Sequence, residues 1–221
     1  MNMTNSNKEH VKKIIAQTFE VIKKVYDNQK EKFGNSSEFC ESGSRIIFPK
    51  YSERYRNGET RISEQELRFI FVEQFNKYCE KNSWNAYYSV ETPTEEKYIF
   101  SKKGDENCPH KVDGEGNGGQ SAMIDLSIHD DKFERIALIE FKALNPKKSA
   151  FDKDFCKLSN EPKSPATFFV MIVKSHDDDT IKSLREKIET KGDETEFYCY
   201  DLKDGCDISE IIKTSGITSQ Q

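Results

Sequence analysis

The chain has 221 residues, of which 34% are hydrophobic and 33% are charged, with a formal net charge of −5. This length suits one substantial α/β domain, and no apolar run approaches the ~18–20 residues that a transmembrane helix needs. The start, MNMTNSNKEHVKK, lacks an apolar segment of secretory type, and the six cysteines show no CxxC spacing. We therefore expect a cytoplasmic protein with reduced thiols.

The first predicted element is a long amphipathic helix. Its apolar residues repeat at three- and four-residue steps over residues 7–33, and Gly34 ends the pattern. A polar loop follows as far as Ser44. We therefore divide the chain into an N-terminal helical extension at 1–44, a main domain at 45–214 and a flexible tail at 215–221.

A basic and aromatic stretch comes next. Residues 45–61 contain five basic and two acidic residues, although the whole chain is acidic. Phosphate binding depends on local basic patches, and neighbouring tyrosines can stack on bases, so this stretch is a candidate nucleic-acid surface. A solvated charged surface is the alternative. The candidate binding residues are Arg45, Arg54, Arg56, Arg61 and Arg68, interleaved with Tyr51 and Tyr55.

The second predicted helix begins after Ser63, a typical N-cap residue. Glu66, three residues later, completes a capping-box pattern, and the following residues are apolar on several sides. The remaining predicted elements are strands at 86–92 and 97–100, a long loop at 101–120, a hairpin at 121–143, a helix at 150–159, a strand at 167–173, a helix at 178–190 and a strand at 195–201. This order predicts an α/β protein with one mixed sheet flanked by helices.

The predicted hairpin contains an unusual group of charged residues. Residues two apart in a strand share a face, so Glu140 and Lys142 point the same way in the second strand. In the first strand, Asp125 lies on one face, and the apolar residues Ile124, Leu126 and Ile128 lie on the other. The turn HDDKFE places Asp125 near the cross-strand position of Glu140. A solvated cross-strand ion pair is the alternative explanation.

These side chains suit phosphodiester hydrolysis. Asp125 and Glu140 offer the hard oxygen ligands that Mg²⁺ prefers. The metal lowers the pKa of its water and stabilises the attacked phosphate. Lys142 can orient that water and stabilise the developing negative charge.

An acid on one strand, then acid-x-Lys on the next, behind a helix that bears a glutamate, resembles the PD-(D/E)XK nuclease superfamily. This is the fold of many restriction endonucleases and Holliday-junction resolvases. The resemblance covers residues 63–173, about half of the chain, with fourteen residues between Asp125 and Glu140 and the letters EFK completing the motif. Ile124 stands where the family often has proline.

The resemblance implies a restriction-endonuclease-like sheet and a Mg²⁺-dependent endonuclease, with Mn²⁺ as a substitute metal. Its substrate would be nucleic acid, DNA or RNA, in restriction or defence against foreign DNA. It implies metal ligation by Asp125, Glu140, the Phe141 carbonyl and Glu66. Glu66 also has its capping role, so Glu73 is the alternative helix ligand.

Several alternatives stay open. In a fold of this kind Lys157, on the helix after the hairpin, would face the active-site side. A homodimer is open as well, with the N-terminal helix as its interface. Two other classes of protein remain as rivals: a catalytically inactive module of this fold that binds nucleic acid or a protein partner, and an unrelated α/β interaction protein.

Overall fold

The computed structural model describes residues 3–31, 43–100, 110–112, 119–162, 165–189 and 194–214. The described helices are α1 (Met3–Glu31), α2 (Glu64–Asn82), α3 (Lys148–Asn160), α4 (Asp178–Ile188) and α5 (Ser209–Thr214), with a 3-10 turn at Arg56–Gly58. The described strands are β1 (Tyr87–Ile99), β2 (His110–Lys111), β3 (Gln120–His129), β4 (Arg135–Ala143), β5 (Ala166–Val173), β6 (Thr195–Asp201) and β7 (Cys206–Asp207). The predicted tail at 215–221 and most of the predicted loop at 101–120 lie outside these ranges.

The strands form one mixed sheet in the order β2-β1-β3-β4-β5-β6-β7. Neighbours from β2 to β4 pair antiparallel, β4, β5 and β6 run parallel, and β7 pairs antiparallel with β6. The predicted α/β class with one mixed sheet is confirmed. The more specific restriction-endonuclease-like fold stays a prediction.

Helices cover both faces of this sheet. Along β5, Phe168, Val170 and Ile172 pack in a first core with α1 and α2. The alternating residues, among them Phe169 and Met171, pack in a second core with α3, α4 and α5. Residues 168–173 of the predicted strand at 167–173 are all apolar because a helical layer covers the strand on each side.

The N-terminal helix belongs to the first core. Its apolar stripe includes Ile14, Ile22 and Val25, whose side chains have no solvent exposure. These residues pack in the same cluster as α2 and the sheet. The amphipathic helix is therefore present as predicted, and it contributes to the core of the molecule. The proposed boundary between residues 44 and 45 stays a prediction.

The apolar residues of β3 are divided between the two cores. Glu91, opposite Asp125 in the register of β1 and β3, has a φ of 47°, which is rare for a residue other than glycine. Leu126 and Ile128 pack in the first core, whereas Ile124 packs in the second. The prediction that these three apolar residues share a face is wrong, because Ile124 packs in a different core from Leu126 and Ile128.

Two observations bear on the cellular environment. Within the described ranges, every helix is either too short or too polar to cross a membrane. Cys79, Cys156, Cys199 and Cys206 carry free thiols. The cytoplasmic location stays a prediction.

Candidate metal and catalytic site

The hairpin of β3 and β4 brings the two predicted acids together. The paired positions end at Leu126 and Ile139, so Asp125 and Glu140 are the next residues of the two strands. Asp125 Oδ2 accepts a hydrogen bond of 2.8 Å from the backbone N–H of Phe141. The carboxylate thus occupies the point where the strands stop pairing through their backbones, and it lies beside Glu140.

Glu140 is a buried acid whose charge is poorly compensated. Glu140 is 1% exposed, and its Oε1 lies 2.5 Å from Lys157 Nζ. Its Oε2 is also buried and has no hydrogen-bond partner among the described residues. Burial and the negative charges of Asp154 and Asp125 raise the pKa of Glu140 well above its usual range, although Lys157 opposes them.

The side chain of Lys157 extends from α3, and three oxygen atoms surround its ammonium group. Besides Glu140, its Nζ contacts Asp154 Oδ1 at 2.9 Å and the carbonyl oxygen of Met123 at 2.8 Å. Burial disfavours the charge on this ammonium, but Glu140 and Asp154 outweigh the burial and raise the pKa of Lys157. It therefore stays protonated at neutral pH.

Lys142 is held by acids from two different helices. Its Nζ lies 2.7 Å from Asp154 Oδ2 on α3 and 3.5 Å from Glu64 Oε2 at the start of α2. Burial acts against the charge, yet Asp154, Glu64 and Asp125 together raise the pKa of Lys142. Asp154 contacts both lysines, one through each carboxylate oxygen.

The charges in this cluster do not balance. Asp125, Glu140 and Asp154 face two lysines, Lys142 and Lys157, with Glu64 as a further acid at the rim. Among these acids, Glu140 has a raised pKa and a buried oxygen without a hydrogen-bond partner. Carboxylate and carbonyl oxygens with surplus negative charge are the environment that a hard divalent cation prefers. The residues present fit Mg²⁺ or Mn²⁺.

Glu66 makes different contacts from those that the resemblance implies. The hydroxyl of Ser63 donates to its carboxylate, and Arg61 Nη1 lies 3.9 Å from its Oε1. Ser63 is the N-cap of α2, but its side chain makes no capping hydrogen bond to the helix backbone. The acid of α2 that contacts Lys142 is Glu64. Metal ligation by Glu66 or by Glu73 stays a prediction.

The sequence does contain a signal for Asp154. Three apolar residues, Phe151, Phe155 and Leu158, form the buried stripe of α3, as predicted. Asp154 lies three residues after the first of them and four before the last, so it belongs to the same stripe. Lys157 follows one turn later. A charged pair on the apolar side of a helix indicates a partner within the protein.

The five candidate arginines differ in their surroundings. Arg45, Arg54 and Arg56 are exposed, and the guanidinium of Arg56 lies 4.9 Å from the ring centre of Tyr51. It also lies 5.5 Å from the ring centre of Tyr55. In contrast, Arg68 is paired with Glu91 at 2.7 Å and hydrogen bonded to Gln65.

The loop that carries these tyrosines is joined to the sheet just beyond the C-terminal end of β5. Backbone hydrogen bonds join Tyr51 to Glu59 and Arg61 to Pro49, which closes the loop at its base. Glu59 forms an ion pair with Lys174, the residue after β5. Lys142 is near the end of β4, which is parallel to β5. The loop and Lys142 therefore both lie toward the C-terminal ends of the parallel strands β4 and β5.

A second group of potential ligands lies where the segments that follow β5 and β6 meet. His176 Nδ1 is 2.6 Å from Asp201 Oδ2 and 3.9 Å from Asp204 Oδ2. The three side chains could hold a metal ion, but such groups are common. Asp201 also accepts a hydrogen bond from the backbone of Asp204, so this geometry belongs to an ordinary turn.

Comparison with known proteins yields no relative: no family model, no curated protein and no solved structure matches the chain. The resemblance to the PD-(D/E)XK superfamily therefore depends on the residues of this chain alone. The function has to be argued from the geometry around Glu140.

Proposed function

We propose that this protein is a Mg²⁺-dependent nuclease of the PD-(D/E)XK type that hydrolyses phosphodiester bonds in DNA or RNA. The observation that carries the proposal is the meeting of Asp125 and Glu140 where the pairing of β3 and β4 ends, next to Lys142. The unsatisfied Glu140 Oε2 supports a cation at this point. The order of elements adds support, because α2 precedes the hairpin and α3 and β5 follow it.

The residues of the site have different roles in the proposed reaction. Asp125, Glu140 and the Phe141 carbonyl would hold the metal. Mg²⁺, when bound, lowers the pKa of a coordinated water and stabilises the charge that develops on the attacked phosphate. Lys142 stays protonated and donates hydrogen bonds to the attacking water and to the phosphate oxygens. Asp154 positions the Lys142 ammonium.

The exposed loop at residues 49–61 supports a nucleic-acid substrate. Arg56 presents a guanidinium beside the rings of Tyr51 and Tyr55, which suits phosphate binding and base stacking. The loop lies toward the C-terminal ends of the parallel strands, as Lys142 does, so a bound nucleic-acid strand could reach both. A role in restriction or defence and a homodimer stay predictions.

The proposal predicts that Asp125→Asn, Glu140→Gln and Lys142→Met each lower the Mg²⁺-dependent cleavage rate by about 100-fold or more. Each variant removes a metal ligand or the cation that stabilises the phosphate. The assay uses fluorescent single- and double-stranded DNA and RNA oligonucleotides with Mg²⁺, Mn²⁺ or EDTA. Circular dichroism checks that every variant is folded.

Exposed residues of the same hairpin provide matched controls. Glu134→Gln and Lys132→Met make the same chemical changes at exposed positions and should keep wild-type rates. Equal cleavage in EDTA and Mg²⁺ would contradict the proposal. So would cleavage by Asp125→Asn or Glu140→Gln at the wild-type rate.

One observation favours a second function, that of a catalytically inactive module which binds nucleic acid or a protein. Lys157 covers Glu140, which is 1% exposed. In such a module, the Lys157 ammonium would stay paired with Glu140 permanently, and no metal would bind there. Calorimetry with Mn²⁺ separates the two functions, because a permanent ion pair predicts no binding that depends on Asp125 and Glu140.

A further inference from the structure

The ammonium of Lys157 is surrounded by oxygen ligands of the kind that bind hard metal ions. Two are carboxylate oxygens, from Glu140 at 2.5 Å and from Asp154 at 2.9 Å, and the third is the carbonyl oxygen of Met123 at 2.8 Å. The residue is 4% exposed, so bulk water contributes little to its solvation. Anionic and carbonyl oxygens around a buried positive charge are also the usual environment of a divalent cation.

We propose that the Lys157 ammonium occupies the cation position at Glu140 in the metal-free protein and leaves Glu140 when a divalent cation binds. The inference rests on the proposed function, because it assigns Lys157 a positioning role toward the metal of that site. A metal ion held by the Glu140 carboxylate would lie within a few ångströms of the ammonium. Two cations this close in a buried site repel each other strongly.

Asp154 offers the displaced lysine a partner. Asp154 and Lys157 are three residues apart on α3, so their side chains lie on the same side of the helix. The lysine stem can turn away from Glu140 while its ammonium keeps contact with Asp154. The exchange leaves Lys157 paired and releases Glu140 for the metal, at a free-energy cost that lowers the apparent metal affinity.

Calorimetric titration of the full chain with Mn²⁺ tests the exchange. We expect Lys157→Met to bind Mn²⁺ about tenfold more tightly than the wild type, because the competing ammonium is gone. Lys153→Met is the matched control, since Lys153 lies on the same helix with an exposed side chain. Its Mn²⁺ affinity should equal that of the wild type.

A second measurement needs no variant of Lys157. In wild-type protein with ¹⁵N-labelled lysine, the protected ammonium signal of Lys157 should shift or vanish as Mg²⁺ is added, while that of Lys153 stays unchanged. The signal is assigned from its absence in Lys157→Met or, if that variant fails to fold, from its coupling to the Lys157 side-chain carbons.

The outcomes separate this inference from the proposed function. Tighter Mn²⁺ binding by Lys157→Met, or loss of the Lys157 signal with Mg²⁺, supports the exchange. Mn²⁺ binding that depends on Glu140 but is unchanged or weaker in folded Lys157→Met overturns the exchange and leaves the nuclease proposal standing. An unchanged Lys157 signal in Mg²⁺-bound protein also overturns the exchange and leaves the nuclease proposal standing. Absence of metal binding in the wild type and in Lys157→Met overturns both.

Discussion

Glu140 is the residue at which stability and the proposed chemistry conflict. A buried carboxylate without full compensation costs free energy, and an apolar residue would fit a strand covered by α3 better. The neighbouring negative charges of Asp154 and Asp125 add to that cost. Proteins keep such residues where activity requires them, and the same properties favour the capture of a cation.

The raised pKa of Glu140 predicts a pH dependence of stability. Because the folded-state pKa lies above the ordinary value of 4.5, the folded protein binds this proton more tightly than the unfolded chain does. The contribution of Glu140 to the free energy of unfolding therefore falls as the pH rises from about 4.5 through the raised pKa, by about 1.4 kcal/mol for each pH unit between the unfolded and folded pKa values. Glu140→Gln lacks this loss, so its stability relative to the wild type should increase between pH 5 and pH 8.

Urea unfolding of both proteins at the two pH values, without metal, provides the measurement. Lys157 keeps its contacts with Asp154 and the Met123 carbonyl in the variant, so its charge stays compensated. The exposed Glu134→Gln should show a constant difference from the wild type. A constant difference for Glu140→Gln as well would mean that the pKa of Glu140 is ordinary in the folded protein.

At the scale of elements, α3 connects the core to the candidate site. β4 and β5 are parallel, so the chain has to cross over between them, and α3 makes this crossing above the sheet. Its apolar residues Phe151, Phe155 and Leu158 fix it on the second core. The same packing holds Asp154 over β4, where its two oxygens meet Lys142 and Lys157.

Asp154→Ala should be strongly destabilising. It leaves two buried ammonium groups without their shared carboxylate, and breaking a buried ion pair costs about 3 kcal/mol or more. Asp152→Ala is the matched control on the same helix, because Asp152 pairs with the exposed Lys148 four residues before it. That change should cost less than about 1 kcal/mol. Equal urea midpoints for the two variants would contradict this role of Asp154.

At the scale of the whole molecule, α1 packs in the first core together with the sheet. The sheet needs a helical layer on each face, and α1 joins α2 in the layer over the first core. The packing extends to the parallel strands, where the ring of Phe19 stacks on that of Tyr200 at 4.8 Å. An amphipathic stripe in a sequence predicts that a helix is covered, but it does not identify the surface that covers it.

Ile22→Ala tests the contribution of α1. Ile22 has no solvent exposure, and a buried Ile→Ala change costs about 2–5 kcal/mol in the free energy of unfolding. The exposed Lys24→Ala on the same helix should cost less than about 0.5 kcal/mol. The measurement is urea unfolding of the full chain. A change near zero for Ile22→Ala would show that α1 folds as a separate extension.

The sequence by itself determined most of the elements and the central pair of acids, although the predicted strands at 86–92 and 97–100 form the single strand β1. Helices and strands follow from periodicities of 3.6 and 2 residues, which are local properties of the chain. The meeting of Asp125 and Glu140 was predictable for the same reason, because a short turn sets the register between two neighbouring strands.

Only the tertiary structure decided which groups surround those acids. Glu64 lies 78 residues before Lys142 in the chain, and their contact depends on how α2 packs at the end of β4. The pairing of Lys157 with Glu140 depends on the crossover of α3, and the placement of Ile124 in the second core departs from the alternation of its strand. Such contacts arise from sheet order and helix packing, which no local pattern of residues encodes.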